Sequence, residues 1–451
     1  MNQEPIAAIA TAFGKGGIAI VRISGDGTEA ILSKVFMPKN RKALPLQSHC
    51  LTYGTIMENG VKLDECMAVL MRAPRSYTRE DVAEIQVHGG FAVASLVLDL
   101  CIKHGARLAV NGEFTRRAFE NGRIDLTRAE AVMDVIAAEG ERSARAAARE
   151  LDGGVIRFIR EAQSDLYTLM AGVEAAIDYP DEIDETEATE KLVSCCEALS
   201  IKLLSAVDER AARILRSGLS VAFCGVPNVG KSSLMNRLLG EDRAIVTDVP
   251  GTTRDVLTGT LTINGIPVYL HDMAGLRDTD DVIEALGVSR ARDVIAHADC
   301  VLIVIDSSQS ITAAQLALIN ASYDSQVLLV LNKNDLSACV TEGDLAVLRP
   351  CTPIVSVNAV SELGTDALKA YFAAFATETD GLLLTNQRHI TQAKAAADCL
   401  KDDVAAIGAG DSIDLVAVHL RRTMSALNTI TGEDVDERLL DQIFASFCVG
   451  K

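Results

Sequence analysis

A glycine-rich segment, Gly225-Val226-Pro227-Asn228-Val229-Gly230-Lys231-Ser232, follows the apolar run Leu219–Cys224 and precedes the periodic segment Ser233–Leu239. This order predicts a loop that joins a strand to a helix. Backbone N–H groups of such a loop, together with the positive end of the helix, bind phosphate groups. Lys231 is placed to reach the β- and γ-phosphates, and the Ser232 hydroxyl can be a ligand of Mg²⁺. The segment therefore predicts a nucleotide phosphate site.

A second segment, Asp272-Met273-Ala274-Gly275, comes directly after the strand-like run Ile266–His271. Its aspartate can hold Mg²⁺ through water, and its glycine backbone can approach a γ-phosphate. Many small GTPases place a glutamine after this motif to orient the attacking water. Here the position holds Leu276, which cannot hydrogen-bond water. The group that orients the water must come from elsewhere.

Two further segments predict which base is bound. Asn332-Lys333-Asn334-Asp335 follows the buried-strand run Val327–Leu331. A carboxylate at Asp335 can accept both N–H groups of a guanine edge, which adenine does not offer, so the nucleotide is predicted to be GTP. Ser356-Val357-Asn358 comes where GTPases place a loop that backs the base, although it departs from their usual Ser-Ala-Lys.

The composition limits the classes of protein to consider. The chain has 451 residues, of which 49% are hydrophobic and 23% charged, as in globular proteins of two to four domains. It has no run of 18 apolar residues and no basic segment ahead of an apolar one at its start, so we expect a cytoplasmic protein without a membrane anchor. The eleven cysteines show no metal-like pairing, and we expect neither disulfides nor structural zinc. A net charge of −19 should repel RNA unless a local patch or a basic partner binds it.

The pattern along the chain changes three times. Residues 1–118 mix short strand-like runs with helices and predict an α+β domain. Residues 119–216 and 377–451 show long helical periodicity, and residues 217–376 alternate strands with helices. Two helical blocks around a complete nucleotide-binding domain predict one helical domain with that domain inserted. The acidic segment Asp178–Glu190 is predicted to connect two helices.

Several narrower motifs resemble one family. They are Gly16-Gly17-Ile18-Ala19-Ile20-Val21-Arg22-Ile23-Ser24-Gly25, His88-Gly89-Gly90, Gly112-Glu113-Phe114-Thr115-Arg116-Arg117-Ala118-Phe119, Asp178-Tyr179-Pro180-Asp181-Glu182 and Phe447-Cys448-Val449-Gly450-Lys451. Together they resemble the bacterial MnmE (TrmE) family of tRNA modification GTPases over the whole chain. The resemblance implies a multidomain α+β and α/β fold: an N-terminal folate-binding domain, a split all-helical domain and an inserted Ras-like P-loop G domain.

The resemblance also implies a reaction and partners. It implies a homodimer that works with the flavoprotein MnmG, as a heterotetramer, and contacts tRNA mainly through that partner. The two would place an aminomethyl or 5-carboxymethylaminomethyl group on the wobble uridine of certain tRNAs. The carbon would come from 5-formyl-tetrahydrofolate or a related one-carbon folate. The acidic charge of this chain agrees with a partner that makes most of the RNA contacts.

For hydrolysis, the resemblance implies that Glu284 orients the attacking water through a second, bridging water. Asp278, Asp280 and Asp281 nearby are expected to be only solvated. It implies that potassium is bound by the Asn228 side chain and by the loop at Thr247, Val249 and Thr252. It also implies that Thr253 completes the coordination of Mg²⁺ together with Ser232. The expected nucleotide contacts are Asn228, Val229, Gly230, Lys231, Ser232, Ser233, Thr247, Asp248, Val249, Pro250, Gly251, Thr252, Thr253, Asp272, Met273, Ala274, Gly275, Asn332, Lys333, Asn334, Asp335, Ser356, Val357 and Asn358.

The same resemblance assigns Arg22, Glu84, Arg123 and Lys451 to a folate pocket. The chemistry is suitable, because a carboxylate pairs with a pterin edge and cations bind the glutamate end of a folate. The family commonly has lysine at position 123, and arginine keeps the charge but changes the geometry. Cys448 is expected to bring a thiol near this pocket and to act in catalysis; the alternative is a tail that packs against the dimer partner.

Two other functions fit the G-domain motifs alone. A ribosome-assembly GTPase would share the phosphate loop and the leucine at position 276, but usually adds a basic RNA-binding domain or a second G domain. A non-catalytic, GTP-gated scaffold would hydrolyse GTP slowly and without response to potassium. We expect a potassium-stimulated, dimeric GTPase and tRNA modification enzyme.

Overall fold

The computed structural model describes residues 4–12, 14–40, 44–179, 185–241, 257–273, 295–321, 323, 325–361, 363–375, 382–409 and 413–450. The chain forms two compact units. The first comprises Met1–Met133, Glu150–Ser200 and Ala395–Lys451, and the second comprises Asp134–Arg149 and Ile201–Lys394. No helix in the described ranges has the length and apolar content needed to cross a membrane.

The elements up to residue 217 are mostly a sheet followed by helices. In order they are β1 (Ile6–Ile9), β2 (Ile18–Ser24), α1 (Thr28–Val35), β3 (Phe36–Pro38), β4 (Thr52–Glu58), β5 (Val61–Met71), β6 (Val82–His88), α2 (Phe91–Lys103), β7 (Arg107–Leu108), α3 (Glu113–Glu120), α4 (Leu126–Ala137), α5 (Glu141–Leu151), α6 (Gly154–Asp178), α7 (Glu185–Ser205) and α8 (Glu209–Ser217).

The remaining elements alternate strands with helices and end in three helices. They are β8 (Leu219–Cys224), α9 (Lys231–Glu241), β9 (Leu257–Ile263), β10 (Ile266–Asp272), β11 (Cys300–Asp306), α10 (Ala313–Asn320), β12 (Gln326–Asn332), α11 (Glu342–Leu348), β13 (Ile354–Ser356), α12 (Thr365–Ala374), α13 (Gln387–Ala409), α14 (Ile413–Thr431) and α15 (Glu437–Ala445).

The first unit contains a seven-stranded sheet in the order β3-β4-β5-β6-β2-β1-β7. Buried and more exposed residues alternate along its strands. Val21 and Ile23 of β2 are buried with Ile85 of β6, and they pack with α1 and α2 in one core. Because side chains alternate across a strand, Arg22 and Glu84 point to the opposite face. They are direct partners in the antiparallel β2–β6 register. The α+β character expected for this region is confirmed.

Helices complete the first unit. α6 packs against α14, and Gln163 Nε2 donates to Asn428 Oδ1 at 2.8 Å between them. The last helix, α15, packs on α3, where the rings of Phe119 and Phe444 lie 6.3 Å apart. A Cβ atom at Gly112 would lie 2.6 Å from the carbonyl oxygen of Phe444, and Gly112 has φ of +67°, so this contact requires glycine.

The predicted connection Asp178–Glu190 is shorter than expected. α6 continues to Asp178, and α7 already begins at Glu185, so the second half of the acidic segment is helical. A connection between two helices is therefore present as predicted, but its predicted end at Glu190 was wrong, because α7 begins at Glu185.

The second unit contains a six-stranded sheet in the order β13-β12-β11-β8-β10-β9, parallel except for the β9–β10 pair. Helices cover both faces: α9 and α12 pack on one side, and α10 and α11 on the other. Strands buried on both faces read as continuous apolar runs, as β11 does. The strands predicted before each motif of the G domain, and the helix after the phosphate loop, are confirmed. The carboxyl ends of β8, β10, β11 and β12 meet at one edge.

Candidate functional site

The phosphate loop runs from the end of β8 at Cys224 to the start of α9 at Lys231. Gly225 has φ of +152° and Gly230 has φ of +95°, which side chains rarely tolerate. A Cβ atom at Gly225 would lie 2.6 Å from the carbonyl oxygen of Val304, and one at Gly230 would overlap the side-chain amide of Asn332. The loop can therefore lie close to β11 and β12 only because both positions are glycine.

Lys231 is the charged group inside this loop. Lys231 is 6% exposed, and its Nζ donates to the carbonyl oxygens of Gly225 at 2.7 Å and Val226 at 3.0 Å. Burial lowers the pKa of the ammonium, while the Asp272 carboxylate opposes that shift. The loop thus holds a cation at its centre, as a site for the β- and γ-phosphates requires.

Ser232 and Asp272 meet at the edge of the sheet. Ser232 Oγ donates to Asp272 Oδ2 at 2.5 Å. Asp272 Oδ1 is buried and has no hydrogen-bond partner in the described part of the chain. Hydroxyl and carboxylate oxygens are the ligands that Mg²⁺ prefers, and a buried carboxylate oxygen without a donor favours a cation beside it. These two residues fit a Mg²⁺ site.

The Asn332 side chain forms hydrogen bonds with both the phosphate loop and the loop that follows β13. It is 1% exposed at the end of β12. Its Nδ2 donates to the carbonyl oxygen of Val229 at 2.8 Å, and its Oδ1 accepts from the backbone N–H of Ala359 at 3.1 Å. One side chain therefore joins the phosphate loop to the loop that follows β13.

Lys333 makes a second link to the phosphate loop. Its Nζ donates to the carbonyl oxygen of Asn228 at 3.0 Å and to Asp306 Oδ2 at 2.6 Å. Burial alone would raise the pKa of Asp306, but hydrogen bonds from Lys333 and Ser308 outweigh it and hold that pKa below its usual value. The lysine is thus fixed across two strands by an ionised carboxylate.

The Ser356-Val357-Asn358 segment lies behind this group. Val357 is buried, and its N–H donates to the carbonyl oxygen of Leu331 at 2.8 Å. Asn358 Oδ1 accepts from the backbone N–H groups of Val360 at 2.8 Å and Ser361 at 3.3 Å, which folds the loop into a turn. Asp335 is exposed beside it. The segment therefore has the position expected for a loop that backs the base.

The structure brings most of the predicted nucleotide contacts that lie in the described ranges to one edge of the sheet. Ser233 is exposed in the first turn of α9, and the N–H of Met273 donates to the carbonyl oxygen of Phe223 at 3.2 Å. Some predicted site residues lie outside the described residues, and they are Thr247, Asp248, Val249, Pro250, Gly251, Thr252, Thr253, Ala274, Gly275, Glu284 and Lys451.

Asp306 is a site residue that the sequence reasoning missed. The run Cys300–Ile305 is apolar and ends in this aspartate, and the parallel register places Asp306 beside Asn332. The signal was present, because carboxyl ends of parallel strands share an edge of the sheet. It was overlooked because no motif of the G domain includes this position.

A second group of predicted residues meets on the face of the first sheet opposite α1 and α2. Arg22 Nε donates to Glu84 Oε1 at 2.9 Å, and Arg22 Nη1 donates to the carbonyl oxygen of Gly450 at 3.2 Å. The Tyr77 ring centroid lies 5.5 Å from the Arg22 guanidinium and 4.6 Å from that of Arg123. Tyr77 thus lies between Arg123 and the Arg22–Glu84 pair. The sequence reasoning missed it because a single loop tyrosine carries no motif.

Cys448 is close in sequence to that group. The residue is exposed, and its carbonyl oxygen accepts from the N–H of Gly112 at 3.4 Å. The tail is therefore held against the start of α3 by its backbone, with the thiol at the surface.

Comparison with known proteins places the chain in a family. The family described as "MnmE helical domain" matches residues 126–448, and "GTP-binding protein TrmE N-terminus" matches residues 5–123. The tRNA modification GTPase MnmE of Lactiplantibacillus plantarum is 41% identical over 461 residues, covering 99% of this chain and 98% of the relative. That of Listeria innocua is 40% identical over 460 residues and covers 100% of both.

Among solved structures, the G domain of the Thermotoga maritima FeoB iron transporter is similar to part of the chain. It is 27% identical, with a TM-score of 0.28, and covers 35% of this chain and 99% of that one. The family matches together extend over nearly the whole sequence and include the region of both groups of site residues. The chain therefore belongs to the MnmE family of tRNA modification GTPases.

Proposed function

We propose that this chain is a potassium-stimulated, homodimeric GTPase that acts with the flavoprotein MnmG on the wobble uridine of certain tRNAs. The modification would be of the aminomethyl or 5-carboxymethylaminomethyl type. Family membership supports the tRNA reaction. The observation that carries the proposal is that the chain has two separate groups of site residues, a GTP site around Lys231 and a cluster around Arg22.

In the GTP site, Lys231 and the loop N–H groups would hold the phosphates, and Asp335 would select guanine. Ser232, Thr253 and, through water, Asp272 would hold Mg²⁺, which neutralises charge on the phosphates when bound. Because Leu276 cannot position water, Glu284 would do so through a bridging water. The charge that builds on the transferring phosphoryl group also requires a positive partner.

A potassium ion would be that partner. The Asn228 side chain is exposed and makes no hydrogen bond within the described ranges, since only its carbonyl oxygen is engaged, by Lys333. Its amide oxygen is therefore available as a ligand, together with the loop at Thr247, Val249 and Thr252. A cation that orders this loop would also favour the pairing of two G domains across it.

In the first unit, Glu84 would pair with a pterin edge, and Arg22, Arg123 and Lys451 would bind the anionic end of a one-carbon folate such as 5-formyl-tetrahydrofolate. Arg22 and Glu84 are 15% and 18% exposed, so a ligand could reach both. Cys448 would supply a thiol near this pocket. The bond from Arg22 to the Gly450 carbonyl supports a place for Lys451 beside the ligand.

The proposal also assigns domains and a compartment. The folate-binding domain would be residues 1–118, the helical domain residues 119–216 and 377–451, and the G domain residues 217–376. With a net charge of −19, the chain would leave most tRNA contacts to MnmG in a heterotetramer in the cytoplasm.

Mass spectrometry of tRNA nucleosides from cells that lack this protein tests the proposal. We expect loss of the wobble modification and its return when the wild-type gene is restored, but not when Glu284→Ala is supplied. Unchanged wobble nucleosides in the deletion strain would contradict the function. Loss of a modification at another tRNA position would contradict the assigned uridine.

A further inference from the structure

A cavity of about 490 Å³ lies beside Arg123 in the first unit. Its lining includes His49, Arg75, Tyr77, Arg79 and Arg123, and within the described ranges it includes no aspartate or glutamate. A chain with a net charge of −19 thus has a cavity lined by three guanidinium groups without an acidic residue. This arrangement attracts anions.

The arginines of this cavity differ from the others in the same domain. Arg75, Arg79 and Arg123 make no ion pair with a carboxylate among the described residues. Every other described arginine of residues 4–123 does, and these are Arg22 with Glu84, Arg72 with Glu29, Arg107 with Glu4 and Glu113, Arg116 with Glu120 and Asp441, and Arg117 with Glu80 and Glu113. The arginines without carboxylates therefore converge on one place.

The neighbouring acids are directed elsewhere. Glu80 follows Arg79 in the sequence, but its carboxylate accepts from Ser24 Oγ at 2.7 Å and pairs with Arg117. Asp81 Oδ1 accepts from the backbone N–H of Ala73 at 2.9 Å. Neither residue lines the cavity, so the two acids that follow Arg79 do not neutralise the positive charge there.

The backbone presents two of the cavity side chains in an unusual conformation. Arg79 and His49 both have φ of +63°, a region that favours glycine. Arg79 Nη1 donates to the carbonyl oxygen of Asn121 at 2.9 Å, and the N–H of His49 donates to the carbonyl oxygen of Leu70 at 2.8 Å. These hydrogen bonds hold the two residues in place where they line the cavity.

The cavity continues from the cluster around Arg22. The Tyr77 ring lies within cation–π distance of both Arg22 and Arg123, and it lines the cavity. A ligand on the Arg22–Glu84 pair could therefore extend past Arg123 into it. A folate ends in glutamate, and cellular folates carry further γ-linked glutamates, each of which adds one carboxylate.

We propose that the cavity binds the oligoglutamate tail of the folate through Arg75, Arg79 and Arg123. This inference rests on the proposed folate function. Guanidinium groups bind carboxylates in a planar, two-pronged geometry, so each extra glutamate can meet one arginine. The chain would then prefer folates with several glutamates over the monoglutamate form.

Calorimetry with the full chain tests this preference, with 5-formyl-tetrahydrofolate and its triglutamate as probes at low ionic strength. We expect the triglutamate to bind the wild type about tenfold more tightly, or about 1.4 kcal/mol. The difference should shrink as salt is added, because salt screens exposed charges. Arg75→Gln and Arg79→Gly should each reduce the preference while leaving monoglutamate affinity unchanged.

Arg116→Gln is the matched control, because Arg116 lies in the same domain outside the cavity and already pairs with Glu120 and Asp441. It should keep the full preference. Equal affinity of the wild type for both folates would overturn the tail site but leave the folate proposal standing. If neither folate binds, both are overturned. If Arg75→Gln weakens binding of unmodified tRNA but not of the triglutamate, the cavity binds nucleic-acid phosphates and the tail assignment is wrong.

Discussion

Asp335 is the residue that we expect to choose the base. Its carboxylate is exposed and, within the described ranges, is not engaged in a hydrogen bond, while Asn332 before it is buried and fixed to the phosphate loop. The Asp335 carboxylate is thus available to a ligand, whereas Asn332, which supports it, is held in place. This division of roles is suited to a site that must admit one base and reject another.

We therefore predict that Asp335→Asn will exchange the base preference. The amide offers a donor where guanine needs an acceptor, so GTP affinity should fall by about 10²-fold or more, and xanthosine triphosphate should bind better than GTP. Nucleotide competition with purified protein measures both. Asp366→Asn, an exposed aspartate in the first turn of α12, is the control and should keep the preference for GTP. ATP that competes as well as GTP with the wild type would contradict guanine selection.

Glu284 is the residue that we expect to position water. Glu284→Ala should keep GTP affinity but lower kcat by about 10²-fold or more, since a positioned water-orienting group is lost. Single-turnover hydrolysis and nucleotide binding measure the two effects separately. Asp280→Ala and Asp281→Ala are matched controls, because these acids are expected only to be solvated. A Glu284→Ala protein that hydrolyses GTP normally would rule out this role.

At the scale of elements, three helices of the first unit meet around a buried carboxylate. Asp403 of α13 is fully buried, its Oδ1 lies 3.1 Å from His419 Nδ1 of α14, and Cys196 of α7 is close enough to interact electrostatically with it. Burial, with a smaller contribution from Asp402, raises the pKa of Asp403 to about 7. The folded protein therefore binds the proton of the Asp403 carboxyl more tightly than the unfolded chain does.

We predict that this group makes the protein less stable as the pH rises. In the unfolded chain the pKa of Asp403 is near 4. Its raised pKa in the folded protein contributes stability that is fully present below pH 4 and is lost as the pH rises through about 7. The loss is at most on the order of 4 kcal/mol. Thermal unfolding from pH 5 to pH 8 should show a smaller fall in Tm for Asp403→Asn than for the wild type. Asp398→Asn, an exposed residue of α13, should behave as the wild type does. Identical pH profiles for all three proteins would show that Asp403 does not titrate in this range.

The elements were largely predictable, and the contacts between them were not. The strand that ends at Asn332 and the helix that begins at Lys231 follow from an apolar run and a glycine-rich loop. The pair of Lys333 with Asp306 depends on the parallel register of β11 and β12, which periodicity does not determine. Likewise, no local pattern shows that Arg22 meets the Gly450 carbonyl, because the hydrogen bond joins distant parts of the chain.

At the scale of the whole molecule, the cation and the dimer should act together. If potassium near Asn228 supplies positive charge and orders the loop at residues 247–252, replacing it with sodium should slow steady-state hydrolysis. Sodium is smaller and fits the same ligands less well. Rates in potassium chloride and sodium chloride at equal ionic strength separate this effect from screening.

The protein concentration provides a further check on that prediction. If G domains pair during turnover, the rate per molecule in potassium should rise with protein concentration until pairing is complete. Asn228→Ala should reduce the difference between the two salts. Equal rates in potassium and sodium would contradict the proposed role of the cation even though the chain is a GTPase.

The hydrogen bond from Arg22 to the Gly450 carbonyl spans 428 positions of the sequence, which sets an order of events during synthesis. Ribosomes add about 5–20 residues per second, so residue 450 follows residue 22 by tens of seconds. Glu84, only 62 positions from Arg22, can pair with it long before then. A nascent chain can therefore form the Arg22–Glu84 pair early, whereas the bond from Arg22 to residue 450 can form only on a chain that has been translated almost to residue 451. If the tail completes the proposed folate pocket, products of premature termination would bind the folate weakly.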